Sequence, residues 1–332
     1  MKNLFLIKIT LRKAYSMIEV SLIILIIGIL FAGAYQGFNI YNETHLASAR
    51  TLSQNSIVGR IQNLAFWYET TFENSFQNGE GYNGKVISAW LDRNNQQLAK
   101  FNAYSAQKSD STKFSYEDNN ISDVSGPTFI SNGINGLPSL NFKNTNSSSR
   151  FFVVDPNLKF GKDNLTIFAV VRFKNFEDNA VIFDRVCLKN SGSATVNDAL
   201  AINSCKPSFS AKINNLGIPN LTIQNNDGSI FNTTQDNFSS LRIDVPYILT
   251  FERLYNQSIS LYLNGKLKST TNENLNEIDF LPLKIGRNAK DQNANSEFDL
   301  SEIIMVYGKL KPQNKIDVEN YLSKKYSIKL ER

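Results

Sequence analysis

Few residues in this chain are placed to do chemistry, and the acids come first. Glu297-Phe298-Asp299-Leu300-Ser301-Glu302 has an E-x-D-x-x-E spacing. Glycoside hydrolysis needs two carboxylates converging across the scissile bond, about 5–10 Å apart. Glu297 and Asp299 share a face by the two-residue period of a strand, whereas Glu302, three residues on, turns to the other face if the strand is continuous. His45 is the single histidine, too isolated for a catalytic relay, and reads as a solvated helix residue. Cys187 and Cys205 are separated by 17 residues and form no C-x-x-C, so no zinc site assembles around them. In an oxidising compartment they are disulfide candidates closing a loop worth about 3 kcal/mol in the chain-entropy account; the alternative is two buried thiols. Asp110, Asp118, Asp123 and Asp291 are acids that could serve calcium, but no common spacing ties them into the six to eight oxygens it takes. No cofactor motif occurs: there is no P-loop, G-x-G-x-x-G or G-x-S-x-G. Trp90 and Tyr255 could stack on a sugar, although Trp90 inside Val86-Ile87-Ser88-Ala89-Trp90-Leu91-Asp92 reads as core.

Glu19 is different, because its surroundings are apolar. Met17 to Ala34 is a run of 18 residues, apolar but for Glu19 and Ser21, with Gly28 and Gly33 as small positions for close helix approach. At about 1.5 Å per residue the run is near the thickness of a bilayer core, about 30 Å. A carboxylate there costs about 2.5–3.5 kcal/mol on insertion scales, so by default it marks function with a partner charge. Lys2, Lys8, Arg12 and Lys13 precede the run with no acid among them, which places that end in the cytoplasm and the rest outside. An ordinary cleaved signal, using Ala32-Gly33-Ala34, and a plain anchor both remain open.

The stretch Lys13-Ala14-Tyr15-Ser16-Met17-Ile18-Glu19-Val20-Ser21 resembles the processing signal shared by type IV pilins and secretion pseudopilins. That pattern has a basic leader, a small residue before the cut, an aromatic first mature residue and Glu at the fifth. Ala14 stands where glycine is commonest, and Tyr15 where phenylalanine is. The resemblance implies cleavage by a prepilin peptidase after Ala14, N-methylation of Tyr15, and docking of Glu19 on the Tyr15 amine of a neighbouring subunit during filament assembly.

Composition narrows the partners. The chain has 35 basic and 30 acidic residues in 332; four of the basic ones lie in the leader, leaving 31 against 30 after such a cut. No basic cluster argues for nucleic acid. Length allows one sizeable or two small domains beyond the helix.

Helical spacing continues past the apolar run: Phe38, Tyr41, Leu46 and Ala49, then Ile57, Ile61, Leu64, Tyr68 and Phe72. This predicts an apolar helix over residues 17–35 and an amphipathic continuation over residues 36–72, with a glycine-punctuated linker over residues 77–85. From Val86 onward, short alternating runs bounded by turn residues predict strands at Val86–Asp92, Ser139–Phe142, Phe151–Asp155, Leu165–Phe173, Val181–Asp184, Ala199–Asn203, Pro246–Leu254, Leu283–Ile285 and Glu302–Tyr307. Ser258–Leu263, Asn264-Gly265 and Lys266–Thr270 predict a hairpin with a type I′ turn. A closing helix begins at Pro312 and sets Val318, Tyr321, Leu322 and Tyr326 on one face. The fold class expected is a long N-terminal helix, an all-β sandwich and a short C-terminal helix.

The runs Tyr247–Thr270, Leu281–Ala289 and Phe298–Ile328 are similar to the closing part of concanavalin A-like, laminin-G-like jelly rolls of bacterial surface proteins. The resemblance covers residues 86–330 and implies a jelly-roll head that binds an extracellular glycan or protein. Together these readings describe a pilin-like subunit of the minor or pseudopilin kind, in the inner membrane with its head outside. A large head of this kind packs awkwardly at every step of a thin fibre. A tethered lectin-like receptor that never polymerises, and a surface glycan hydrolase using the Glu297 region, are the alternatives.

Overall fold

The computed structural model describes residues 16–77, 79–105, 123–145, 148–155, 158, 163–177, 180–185, 209–224, 230–233, 240–273, 283–287 and 295–332. They fall into two units, one ending at His45 and the other Leu46–Arg332.

Helix α1 is Met17–Gln54, 38 residues. It starts on a reciprocal cap: Ser16 Oγ accepts the Ile18 N–H at 3.2 Å, and the Glu19 carboxylate accepts the Ser16 N–H at 2.8 Å. Side-chain acceptors here satisfy amides that have no carbonyl partner in the first turn. By length and composition α1 can cross a membrane: its most apolar 18-residue window has a mean hydropathy of 2.5 and none of it is buried.

The amphipathic continuation expected to Phe72 stops at Gln54. A short 3-10 turn, Val58–Arg60, follows, and the chain then extends into a strand at Leu64–Glu69. The stripe Ala49, Ile61, Leu64 does meet the head, but not along one helix. Leu-Ala-Phe-Trp-Tyr-Glu is aromatic-rich and buried throughout, and a surface helix cannot bury all its sides, whereas a strand inside a sandwich can. The segment expected as a linker is pinned into the head: Gly84 N–H donates to Phe129 O at 2.8 Å and Phe129 N–H to Lys85 O at 2.7 Å.

In chain order the first strands are β1 (Leu64–Glu69), β2 (Ala89–Trp90), β3 (Ala103–Ser105), β4 (Asp123–Ser125), β5 (Thr128–Ile134) and β6 (Leu137–Lys143). Then come β7 (Ser148–Arg150), β8 (Phe152–Val154), β9 (Leu165–Phe173), β10 (Ala180–Arg185), β11 (Phe209–Ile213) and β12 (Pro219–Gln224). The last are β13 (Ile230–Asn232), β14 (Pro246–Leu254), β15 (Ser258–Leu263), β16 (Lys266–Asn272), β17 (Leu283–Ile285) and β18 (Glu297–Tyr307). Helix α2, Pro312–Tyr326, closes the fold. One antiparallel sheet runs β16-β15-β14-β9-β18-β6-β5 with β1 also on β18, and the other runs β13-β12-β11-β10-β17-β8-β3-β2. The predicted Val86–Asp92 strand is reduced to β2, and Ala199–Asn203 lies outside the described residues. At the β15–β16 turn Asn264 and Gly265 have φ of 48° and 82°, as a type I′ turn requires.

The inner faces meet in one aromatic core. Phe142 stacks on Phe298 at 5.2 Å, and Phe183 of the second sheet meets Phe251 of the first edge-on at 5.1 Å. The outer face of the first sheet is also buried: Trp67, Phe168, Val170, Ile304 and Val306 pack with Val318, Tyr321, Leu322 and Tyr326 of α2. Strand β18 organises this layer. Its Glu297–Leu300 part pairs with β6, its Glu302–Val306 part pairs with β1, and the register slips between Leu300 and Glu302.

Candidate functional site

The register slip changes the geometry of the acidic motif. Phe298, Leu300, Ile303 and Met305 point into the inter-sheet core, whereas Ile304 belongs to the layer beneath α2. The extra residue at the bulge lets Glu302 follow Asp299 onto the outer face, against the expectation that a continuous strand would part them. Glu297 and Asp299 converge on one amide donor, Asn141 Nδ2, at 3.3 and 2.9 Å, whereas Glu302 has a separate set of partners. Glu297 meets Lys143 at 3.1 Å, Asp299 meets Arg172 at 2.5 Å, and Glu302 meets Lys325 at 2.8 Å. Each acid of the motif faces a different cation, Asp299 with Lys174 as a second at 3.8 Å.

Glu302 sits at the centre of a sealed cluster. Its Oε1 accepts from Trp67 Nε1 at 2.7 Å and Tyr321 OH at 2.8 Å; its Oε2 accepts from Lys325 Nζ at 2.8 Å and Tyr326 OH at 3.0 Å. Lys325 Nζ also donates to Glu69 Oε2 at 3.0 Å, and that oxygen takes the Thr71 N–H at 3.0 Å and the Thr71 hydroxyl at 2.6 Å. Tyr321 OH lies 2.9 Å from Ser53 Oγ on the last turn of α1. The side chains of Lys325, Glu69 and Glu302 are wholly inaccessible.

Two carboxylates face one cation here, and the ionisation follows from that. Burial alone would raise Glu69, but Lys325 and the two Thr71 donors outweigh it and hold the carboxyl below its ordinary value. Burial pushes Glu302 up, Lys325 works against it, and the Glu69 charge adds to the rise. For Lys325, burial is outweighed by the two acids, which hold the ammonium above its ordinary range. Burial and the neighbouring carboxylates raise Tyr321 and Tyr326 well above the usual phenol range. Removing one partner of such a group strands a buried charge, at about 3–5 kcal/mol.

Sequence reading missed Lys325 and Glu69, although both leave a trace. Lys325 stands seven residues after Val318, a position the apolar face of α2 should fill with a hydrophobe. Glu69 closes a run of aromatics. A charge at an apolar register position is the signal for a buried pair. The Ser16-x-x-Glu19 cap was legible too, and it gives Glu19 a partner within its own chain.

Ala14, Tyr15, Cys187, Cys205, Asp110, Asp118 and Asp291 lie outside the described residues. Asp123 opens β4, which pairs in parallel with β7. Among the described residues no group of three or more His, Cys, Asp or Glu side chains could hold a metal ion. Trp90 is buried, stacks on Tyr68 at 5.3 Å and donates to Glu69 O, which makes it core and not a sugar platform. Tyr255 lies under the Arg253 guanidinium at 5.3 Å. His45 stacks on Tyr41 at 5.9 Å and is half-buried, not fully solvated.

A cleft of about 750 Å³ opens beside the α2 C-terminus, lined by Arg242, Tyr247, Leu263, Asn264 and Lys329 among others. Its volume is within the range of ligand pockets, about 300–1,000 Å³.

No protein-family model matches the chain, and no curated protein matches it. Among solved structures it is similar to the botulinum neurotoxin serotype D binding domain, with 14% identity over 81% of this chain and 53% of that one, at a TM-score of 0.50. The binding domain of Paraclostridial Mosquitocidal Protein 1 matches at 13% identity, 79% and 52% coverage and TM-score 0.47. The botulinum neurotoxin serotype G binding domain matches at 14%, 79% and 51%, with TM-score 0.48. The chain spans about half the length of these structures. The serotype D likeness defines the fold: a jelly-roll-like β-sandwich, here following one apolar helix.

Proposed function

We propose that the chain is a type IV pilin-like subunit, minor pilin or pseudopilin in kind, whose sandwich head binds a glycan or protein outside the cell. The observation that carries this reading is α1: an unburied, membrane-length apolar helix that opens on a carboxylate and follows a basic, acid-free leader. A prepilin peptidase cuts after Ala14, and the new Tyr15 amine becomes the N-terminus. In the inner membrane Glu19 is held by the Ser16 amide; in the filament it pairs with the Tyr15 amine of an adjacent subunit. Opposite charges in low dielectric attract strongly, and an unpaired one is penalised. The head is a recognition module and turns over no external substrate, a reading supported by the three acids of the Glu297–Glu302 run each facing a cation and by the serotype D fold neighbour being a binding domain. The cleft beside Arg242 and Lys329 is a candidate surface for it.

The mature N-terminus, read by mass spectrometry from the native host, tests the processing step. Material beginning at methylated Tyr15 supports it; material beginning at Met1 or beyond Ala34 overturns it. One observation favours the second reading, a tethered receptor that never polymerises: the Ser16 amide already satisfies Glu19 within its own chain. An uncut leader would decide for that reading.

A further inference from the structure

We infer that Lys325 and Glu69 are joined by a covalent isopeptide bond formed within the folded head, with Glu302 as its proton-transfer catalyst. The four requirements of such a condensation meet in one place. The nucleophile is Lys325 Nζ, 3.0 Å from the Glu69 carboxylate. Donors for the oxygen that becomes an oxyanion are the Thr71 N–H and hydroxyl, both on Glu69 Oε2. The acid–base group is Glu302, whose Oε2 is 2.8 Å from the same Nζ. The fourth requirement is exclusion of water, since all three side chains are inaccessible. Water would both solvate the ammonium and drive hydrolysis. Holding the groups in contact supplies the proximity that two free molecules lack.

The roles of the two acids are not interchangeable. Glu302 has three neutral donors, Trp67, Tyr321 and Tyr326, and stays satisfied without the lysine. On Glu69, the two close Thr71 donors occupy Oε2, while Oε1 has a long contact to Ser75 Oγ at 3.5 Å and the Arg93 Nε at 4.0 Å. Oε1 is therefore the oxygen free to leave. The buried trio also holds one more carboxylate than cation, and condensation removes one charge of each sign from the interior.

The step balances without a co-reactant. Glu302 relays a proton from the Lys325 ammonium to Glu69 Oε1, and the neutral amine then attacks Cδ of the protonated Glu69 carboxyl while Thr71 holds the negative charge that develops on Oε2. A second proton leaves the nitrogen. Glu302 passes it to Oε1, which now carries both protons; the Cδ–Oε1 bond breaks, and one water departs as the Nζ–Cδ amide is left. Nothing is oxidised or reduced. The product ties β1, which follows the membrane helix in sequence, to α2, 256 residues later. It rests on the head alone and holds whatever α1 does.

Tryptic digestion of the reduced, denatured full chain, followed by mass spectrometry, tests it. The expected product is a branched peptide joining the Glu69 and Lys325 segments, lighter than their sum by the mass of one water, with trypsin blocked after Lys325. Cleavage after Lys325 and a linear Glu69 peptide, from protein shown folded by near-ultraviolet circular dichroism, overturn the proposal. Glu302→Gln should fold and stay unlinked. A linked Glu302→Gln protein would remove Glu302 from the mechanism, and Glu69→Ala should give no branched peptide.

Discussion

Replacing Tyr321 by phenylalanine tests whether the sealed cluster holds the end of α1 to α2. The ring keeps its place, including its edge-on contact with Trp67 at 6.4 Å, so only the hydroxyl is lost. That hydroxyl lies 2.8 Å from Glu302 Oε1, 2.9 Å from Ser53 Oγ and 3.2 Å from Lys325 Nζ. No neighbour is orphaned, because Glu302 Oε1 keeps Trp67 Nε1 and Ser53 keeps the Ala49 carbonyl. Lys325 keeps both carboxylates, so its longer contact adds little; the loss is then one hydrogen bond to a charged acceptor, about 1.5–3 kcal/mol, and one neutral bond, about 0.5–1.5 kcal/mol. We expect Tyr321→Phe to lower stability by about 2–4 kcal/mol, read as a shift in urea midpoint with the slope unchanged. Hydrogen exchange should rise locally over Leu46–Gln54, where Ser53 loses its outside partner. A change under about 0.5 kcal/mol, the size of an ordinary surface substitution, with unaltered exchange in that segment, would refute the role given to the cluster.

Other consequences can be checked directly. Glu19→Ala should leave the protein in the membrane but exclude it from filaments purified from the host; incorporation at the wild-type level would remove Glu19 from assembly. Gly286→Ala should cost about 2–5 kcal/mol, since its φ is +97° and a Cβ would lie 2.2 Å from Phe142 Cδ1; an unchanged melting temperature counts against that packing. Burial pushes the Asp92 carboxyl above its ordinary value despite amide donors from Trp67, Asn94 and Phe101. A raised acid favours folding while protonated, so its contribution is present below the ordinary carboxylate pKa and is lost as pH rises through the folded one. Wild type should therefore lose stability relative to Asp92→Asn between pH 4 and pH 7, by paired urea titrations; the opposite slope contradicts the burial.

Much of the architecture was legible from local patterns. The apolar run, the Asn264-Gly265 turn, β9, β14 and β17, and the apolar face of α2 follow from periodicity and turn chemistry, which act between near neighbours. The segment after Gln54 misled because Leu64, Tyr68 and Phe72 fit a helical repeat, while Leu64–Glu69 feeds two buried layers, Leu64 and Trp67 one and Ala65, Phe66 and Tyr68 the other, that exist only when β18 lies beside it. Glu302 was assigned to the wrong face for a related reason. The bulge that moves it arises where β18 changes partner from β6 to β1, and no local period records a change of partner.

The chain by itself determined that a membrane-length helix opens on Glu19 and that turn-bounded strands follow, because hydropathy and strand period are properties of neighbouring residues. Tertiary structure alone decided that Glu69, Glu302 and Lys325 meet in a dry interior. Their encounter depends on strands and a helix drawn from both ends of the head, and desolvation acts on a charge only once those elements have closed over it.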